Sequence, residues 1–343
     1  MSALPKPAPA PSAKAQKQSY WRLVARQYRR RRLSVAALIM LFVLGLIAAI
    51  APFLAGAAPI YLHKDGKTYW FPNVVTYGDL VRFDFARWKP APGDSAVWPP
   101  VPHSPDASNL LKRLAPPDSA NLLGTDDRGR DVMGRVIWGT RISMSVGFVA
   151  EGISVIIGAA LGALAGFYGR RVDAIIMRVI EIVMLFPVFV LIITLISFLP
   201  PSIWNIMIVL GLTGWTGIAR LVRGEMLKLR SSEFALAARA SGLRDGRVIF
   251  RHLLPNAMSP VLVSATFGVA GAILVESALS FLGFGVPPPT ASWGEILSQS
   301  KSYLHRGAWW LVVFPGLAIF LTVTAFNLVG AGLRDAMDPR LRE

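Results

Sequence analysis

The stretch EFALAARASGLRDGRVIFRHLLPN, Glu233 to Asn256, decides how this chain is read. It lies between two long apolar runs and carries Arg239, Arg244, Arg247 and Arg251 against only Glu233 and Asp245. Ser231 or Ser232 is placed to cap a helix through EFALAARAS, and Gly242 to end it in the left-handed conformation. Asp245 is placed to cap a second helix, GRVIFRHLL, which Pro255 closes as the next apolar run begins. Phe234, Ala237, Ala238 and Leu243 form one expected apolar face; Val248, Ile249, Leu253 and Leu254 form another. The arginines fall off both faces, so the expected product is a stiff helix–turn–helix knob with a basic rim. A charged loop that only fixes topology would carry the same arginines, but it needs no two capped helices.

The runs on either side set the solvent. The chain has 343 residues, 53% hydrophobic and 16% charged, with a mean hydropathy of +0.49, whereas a soluble domain carries about 25% charged residues. Apolar blocks recur at lengths that cross a bilayer as helix, about 20 residues. Hydrocarbon leaves no water for the backbone, so continuous runs of this kind fold as helices. The expected fold is an all-α membrane protein with six spans, near 35–56, 143–168, 174–199, 204–225, 257–284 and 308–333. Residues 1–18, rich in Pro, Ala and Lys, are expected to be a disordered tail. Residues 19–34 read as a basic amphipathic helix lying on the membrane surface. A long proline-rich loop fills 57–141, a core of five spans fills 142–333 with the knob at 230–256, and 334–343 is a tail.

Charge sets the orientation. Residues 1–34 hold basic residues and no acid, and GRRVD after the second run adds Arg170 and Arg171. Lys and Arg hold short loops on the cytoplasmic side. Six spans with a cytoplasmic N-terminus then put 1–34, 169–173, 226–256 and the C-terminal tail inside, and the long first loop outside. The net charge of +16 is accounted for in this way without nucleic acid. With no cysteine, thiol chemistry, disulfides and Cys-ligated metal are excluded.

The knob also carries a resemblance. Ala237, Ala238, Gly242, Leu254 and Pro255 are similar to the EAA loop of ABC-importer permeases, with Leu236 at the position of the motif's Glu and Glu233 one turn earlier. LLGTDDRGRDVMGRVIWGTRISMSVG (122–147), ESALSFLGFGVPPPTASWGEIL (276–297) and AFNLVGAGLRDAMDPRLR (325–342) resemble the C-type permease subunit of dipeptide and oligopeptide ABC importers, in order. The resemblance implies a type I ABC-importer permease fold in a bacterial inner membrane, with both termini cytoplasmic. It implies a second, B-type permease, two ATP-binding subunits of D- and F-type, and an extracytoplasmic peptide-binding protein. ATP and Mg would sit on the ATPases and no cofactor on this chain, which has no catalytic residue of its own. Glu233, Ala237, Ala238, Gly242, Arg244, Asp245, Arg247, Leu254 and Pro255 would make the ATPase-coupling loop. The segment YLHKDGKTYWFPNVVTYGDLVRFDFARWKP, 61–90, looks like an added element.

Other features have two readings each. Gly158, Gly162 and Gly166 repeat at four-residue spacing on one face and favour close helix approach, either within this subunit or against the partner permease. Glu151 and Glu276 lie inside apolar runs, where charge usually faces a cavity or a partner. Glu151 could line the pathway or bond a neighbouring helix; Glu276 suits a structural or gating role. Arg178 and Glu181 are spaced to pair on one helix. Pro187 and Pro315 are expected to kink their helices. In GTDDRGRDVMGR, Thr125 is expected to cap a helix whose first-turn acids meet arginines, which argues against a metal. DGKT at 65–68 lacks the upstream glycine of a phosphate loop and is rejected. The rival function is a proton-coupled secondary transporter using Glu151 and Glu276, against which no inverted repeat is visible.

Overall fold

The computed structural model describes residues 20–85 and 87–338. The tail expected at 1–18 and the last residues of the C-terminal tail lie outside them. The basic surface helix is α1 (Tyr20–Arg29), and a two-residue break separates it from the first span, α2 (Arg32–Ala49). Arg32 to Ser34, read as part of the surface helix, thus belong to the span. A bend at Ile50 leads into the short α3 (Ala51–Leu54), with Pro52 in its first turn.

The following loop is not structureless. Strands β1 (Tyr61–Lys64), β2 (Lys67–Trp70) and β3 (Ser95–Val97) form an antiparallel sheet in the order β2-β1-β3. The DGKT stretch that mimics a phosphate loop is its hairpin turn: Asp65 and Gly66 both have positive φ, at 49° and 75°, as a two-residue hairpin requires. Leu62, Tyr69 and Leu80 make a small core of their own, with Phe83, Phe85 and Trp88 against it. Period-two alternation in YLHK and KTYW is short, which is why the run reads as loop in a chain dominated by helical spans.

The remaining elements are helical. They are α4 (Val132–Tyr168), α5 (Arg170–Leu185), α6 (Val188–Ser197), α7 (Ile203–Leu229), α8 (Glu233–Ala240), α9 (Asp245–Arg247), α10 (Leu254–Leu282), α11 (Trp293–Gln299) and α12 (Trp310–Met337). Among the described residues five helices are long and apolar enough to cross a bilayer, and the bent pair α5–α6 supplies the sixth candidate. That pair turns by 82° at its break. Proline at 187 removes an N–H and blocks the helical path of the residue before it, so the third span is broken and not merely kinked. Pro315, by contrast, stays inside a continuous α12.

The second span starts eleven residues earlier than expected, and its cap is Asp131, whose side chain accepts from Gly134 N at 2.7 Å. Thr125 is not the cap. Its hydroxyl donates to the Lys112 carbonyl and accepts from Ala115 N (2.9 Å), fastening the loop.

The closest-packed pair is α4 with α7, and α10 sits against both α4 and α12. The glycine face lies in the first of these contacts. A methyl at Gly158 would meet the Trp215 carbonyl at 2.7 Å, at Gly162 the Val222 Cβ at 2.9 Å, and at Gly166 the Arg223 carbonyl at 2.8 Å. The stripe therefore serves packing within the subunit. Lipid supplies little apolar drive between helices, so close backbone approach does that work.

Candidate functional site

The knob is built on α8, α9 and the start of α10. Glu233 opens α8, where a carboxylate favours the positive end of the helix dipole. Ser232 occupies the cap position, but its hydroxyl donates back to the Leu229 carbonyl (2.6 Å) and that of Ser231 to Lys228 (3.1 Å). The serines thus close α7, and α8 starts without a side-chain cap. Gly242 has φ 75°, and Leu243 N–H returns to the Ala238 carbonyl at 3.4 Å, the left-handed closure expected. Arg244, not Asp245, precedes the next turn, and Asp245 is its first helical residue.

Pro255 does not end a helix. Helix runs on from Asp245 to Leu282, through a wide π turn over Val248–Leu253 in which Leu254 N–H bonds the Ile249 carbonyl. Proline has no N–H to give and its ring crowds the carbonyl four residues back. Widening the preceding turn accommodates it and leaves the knob continuous with the fifth span.

The two apolar faces also differ from expectation in one respect. Ala235, Val248, Ile249 and Leu253 are buried with Phe167 of α4 and Val222 and Met226 of α7, while Ala238, Leu243 and Leu254 are half-buried beside them. Phe234 turns outward at 45% exposed, as do Leu236 at 53% and Phe250 at 49%, beside exposed Ala237. Arg239 stacks its guanidinium over the Phe167 ring at 4.5 Å, which ties the knob to the end of α4. Arg230 donates to the Gly166 carbonyl (3.2 Å), and Arg223 pairs with Asp173 (Nη2 to Oδ2, 2.7 Å). Among the described residues Arg239, Arg244, Arg247 and Arg251 meet no carboxylate. Glu233, Arg244, Asp245, Arg247 and Pro255 are all exposed.

The two intramembrane acids part company. Glu276 is fully buried; Ser280 Oγ (2.8 Å) and Ser292 Oγ (2.9 Å) donate to its Oε1. Ser292 also caps α11 by accepting from Glu295 N at 3.1 Å, so Glu276 clamps the end of α10 to α11. Glu151 is half-buried on α4 with its carboxylate lying over Gly268 of α10. It has no hydrogen-bond or ion-pair partner among the described residues, so the alternative of a Glu bonded to a neighbouring helix is not realised within this chain. Arg178 and Glu181 pair as spaced, at 2.8 Å on the surface.

A further cluster escaped the sequence. Arg135 is fully buried at the start of α4; it pairs with Glu295 of α11, donates to the Pro105 carbonyl (3.1 Å) and lies 3.5 Å from Asp126. Arg130 holds the same Asp126 at 2.6 Å. Arginines meet Asp126 and, at 4.0 Å, Asp127 as expected, but Asp131 meets none and accepts from Asn121 Nδ2 and Gly134 N instead. No group of residues able to hold a metal occurs among the described residues. Glu295 stands 160 residues away from Arg135, and no local spacing reveals that partner.

Residues 158–343 match the family described as binding-protein-dependent transport system inner membrane component. The chain belongs to that family. Residues 19–69 match the N-terminal TM domain of oligopeptide transport permease C. It is 43% identical over 235 residues to the dipeptide transport system permease protein DppC of Alkalihalophilus pseudofirmus, covering 68% of this chain and 77% of the relative. It is 44% identical over 238 residues to a putative peptide transport system permease protein of Brucella suis (69% and 80%), and 42% identical over 236 residues to the oligopeptide transport system permease protein OppC of Bacillus subtilis (69% and 77%). A chain of the MetNI methionine ABC transporter in an inward-facing form superposes with TM-score 0.44 at 20% identity, over 58% of this chain and 97% of that one. Family membership sets the proton-coupled alternative aside: the permease is a multi-pass component of binding-protein-dependent transport.

Proposed function

We propose that this permease is the C-type membrane subunit of an ATP-driven peptide importer of a bacterial inner membrane, with both termini and the 230–256 knob cytoplasmic. A B-type permease completes the pathway, D- and F-type subunits bind ATP and Mg, and an extracytoplasmic protein delivers the peptide. One observation carries the coupling role. The knob is fastened from behind by buried Ala235, Val248, Ile249 and Leu253, while its front presents Phe234, Leu236 and Phe250 among unpaired arginines. An apolar strip with a basic rim suits a groove with an apolar floor and an acidic edge on an ATPase subunit. Because the π turn joins the knob to α10 without a break, a push on the knob moves the span.

The relatives' names support peptide as cargo. Glu151, unpartnered on the membrane-embedded part of α4, is the residue we place on the pathway, where a carboxylate suits a peptide's amino group. The test uses the absence of cysteine. Leu236→Cys should cross-link to a cysteine scanned along the ATPase groove, and proteoliposomes with the binding protein should take up labelled peptide only with ATP inside. Uptake that survives without ATP and follows a proton gradient, or a Leu236→Cys variant that cross-links to nothing, would refute the reading.

A further inference from the structure

The N-terminal helix α1 is amphipathic to a degree that its packing does not use up. Trp21, Val24, Ala25 and Tyr28 recur at helical spacing on one face, and Arg22, Arg26 and Arg29 recur at helical spacing along its flank. At its centre Val24 is buried against the bundle (4% exposed), while Trp21 and Ala25 stay exposed. Together with Val35 and Leu38 of α2 and Val329 and Leu333 of α12 this face walls a groove of about 450 Å³, with Arg29 at its edge.

The groove is held in shape. Tyr28 Oη donates to the Ser34 carbonyl (2.9 Å), and Ser34 Oγ donates to the Leu328 carbonyl (3.0 Å). Gly332 leaves the space on α12 into which the Ser34 hydroxyl and the Tyr28 ring fit. Arg31 pairs with Asp335 at 2.6 Å. α1 is thus pinned at its C-terminal end, with its apolar face propped over α12.

Two features say what fits. Leu38, one wall of the groove, continues into exposed Ile39 and Phe42 of α2, so the groove opens onto the surface that faces lipid. Of the arginines from 22 to 32, only Arg31 meets a carboxylate among the described residues, and α1 contains no acid. A soluble anion would satisfy the arginines and leave the apolar lining in water. An uncharged lipid would fill the lining and leave the cations unpaired. An anionic phospholipid does both, and basic pockets beside spans on the cytoplasmic side take such headgroups. We propose that the α1–α2–α12 groove binds one anionic phospholipid, its acyl chain against Ala25, Leu38 and Val329 and its phosphate at Arg29 on the groove's edge, with Arg26 on the adjoining turn of the same flank. The site rests on α2 being lipid-facing and is independent of what cargo is carried.

The test is lipid titration of the full-length permease in mild detergent, read by native mass spectrometry. The probes are dioleoyl phosphatidylglycerol, dioleoyl phosphatidylcholine and inorganic phosphate. Each arginine near the membrane surface is worth about fivefold in affinity, so R26Q/R29Q should bind phosphatidylglycerol roughly 25-fold more weakly, and R26K/R29K should retain it. Both positions are exposed, so neither variant threatens folding. Val329→Trp, which fills the groove, should weaken both lipids. Equal binding of the two lipids, unchanged affinity in R26Q/R29Q, or displacement of the lipid by millimolar phosphate would overturn the proposal. The last outcome would mark a soluble-anion site. Failure of peptide uptake would leave the lipid site untouched, so the two readings fail separately.

Discussion

Gly242 shows how one residue couples chemistry to backbone. Its φ of 75° is open to glycine and costs a residue with a side chain roughly 1–2 kcal/mol. No atom lies within 4 Å of where a side chain would begin, so Gly242→Val strains the turn without a clash. We expect it to insert and assemble normally while ATP hydrolysis loses its stimulation by loaded binding protein; full stimulation in that variant would count against the knob as a coupling element. Gly162 presents the opposite case. It is helical, and a side chain there runs into the Ala219 backbone and Val222. Gly162→Val should push α4 off α7 and cost about 1–3 kcal/mol, read as a fall in thermal midpoint in detergent. The glycine spacing was legible in the sequence. Which helix it meets was not, because a small-residue face specifies close approach and no particular partner.

The elements are joined by charges that no local pattern announces. Arg135 ties the start of α4 to α11 and to the loop carbonyl of Pro105. Breaking a buried pair strands the other charge and costs about 3–5 kcal/mol. Arg135→Ala should therefore lower the melting midpoint sharply. R135A/E295A should recover part of the loss, since the two residues act as a unit; strictly additive losses would show that they do not. At the knob, helix positions and Gly242 followed from periodicity and the glycine, but the expected serine and Asp245 caps did not form, and Pro255, read as a stop, lies within a continuous helix. The widened turn before it depends on Val248, Ile249 and Leu253 being buried against α4 and α7. Tertiary packing stabilises a strained register that propensity alone would end.

Across the whole molecule, α4, α7, α10 and α12 make the packed bundle and the sheet of β1–β3 an independent cap on the first loop. Glu151 lies between α4 and α10, over Gly268, where movement of one span past the other would be felt. Glu151→Gln should leave the amount of assembled transporter unchanged and reduce peptide uptake by about tenfold, a loss of roughly 1.4 kcal/mol. Unchanged uptake would remove Glu151 from the pathway. Glu276 offers the control: Glu276→Ala orphans the Ser280 and Ser292 hydroxyls, costs about 1–3 kcal/mol, and should lower assembly and uptake together.

The amino-acid order alone settled the solvent, the number of apolar runs and the place of the knob between the fourth and fifth. Those properties are local sums: length, hydropathy, charge and spacing act within a few turns of the chain. It also placed arginines beside Asp126, though not the Asn121 and Gly134 N–H groups that hold Asp131. The partner of each face was settled only in three dimensions. The bundle decided that Gly158, Gly162 and Gly166 meet α7, that Ala235 and not Phe234 points inward, that Arg135 reaches Glu295, and that α1 stands over a groove. Such contacts join residues far apart in the chain, and they form only where close-packed helices leave each side chain one place to go.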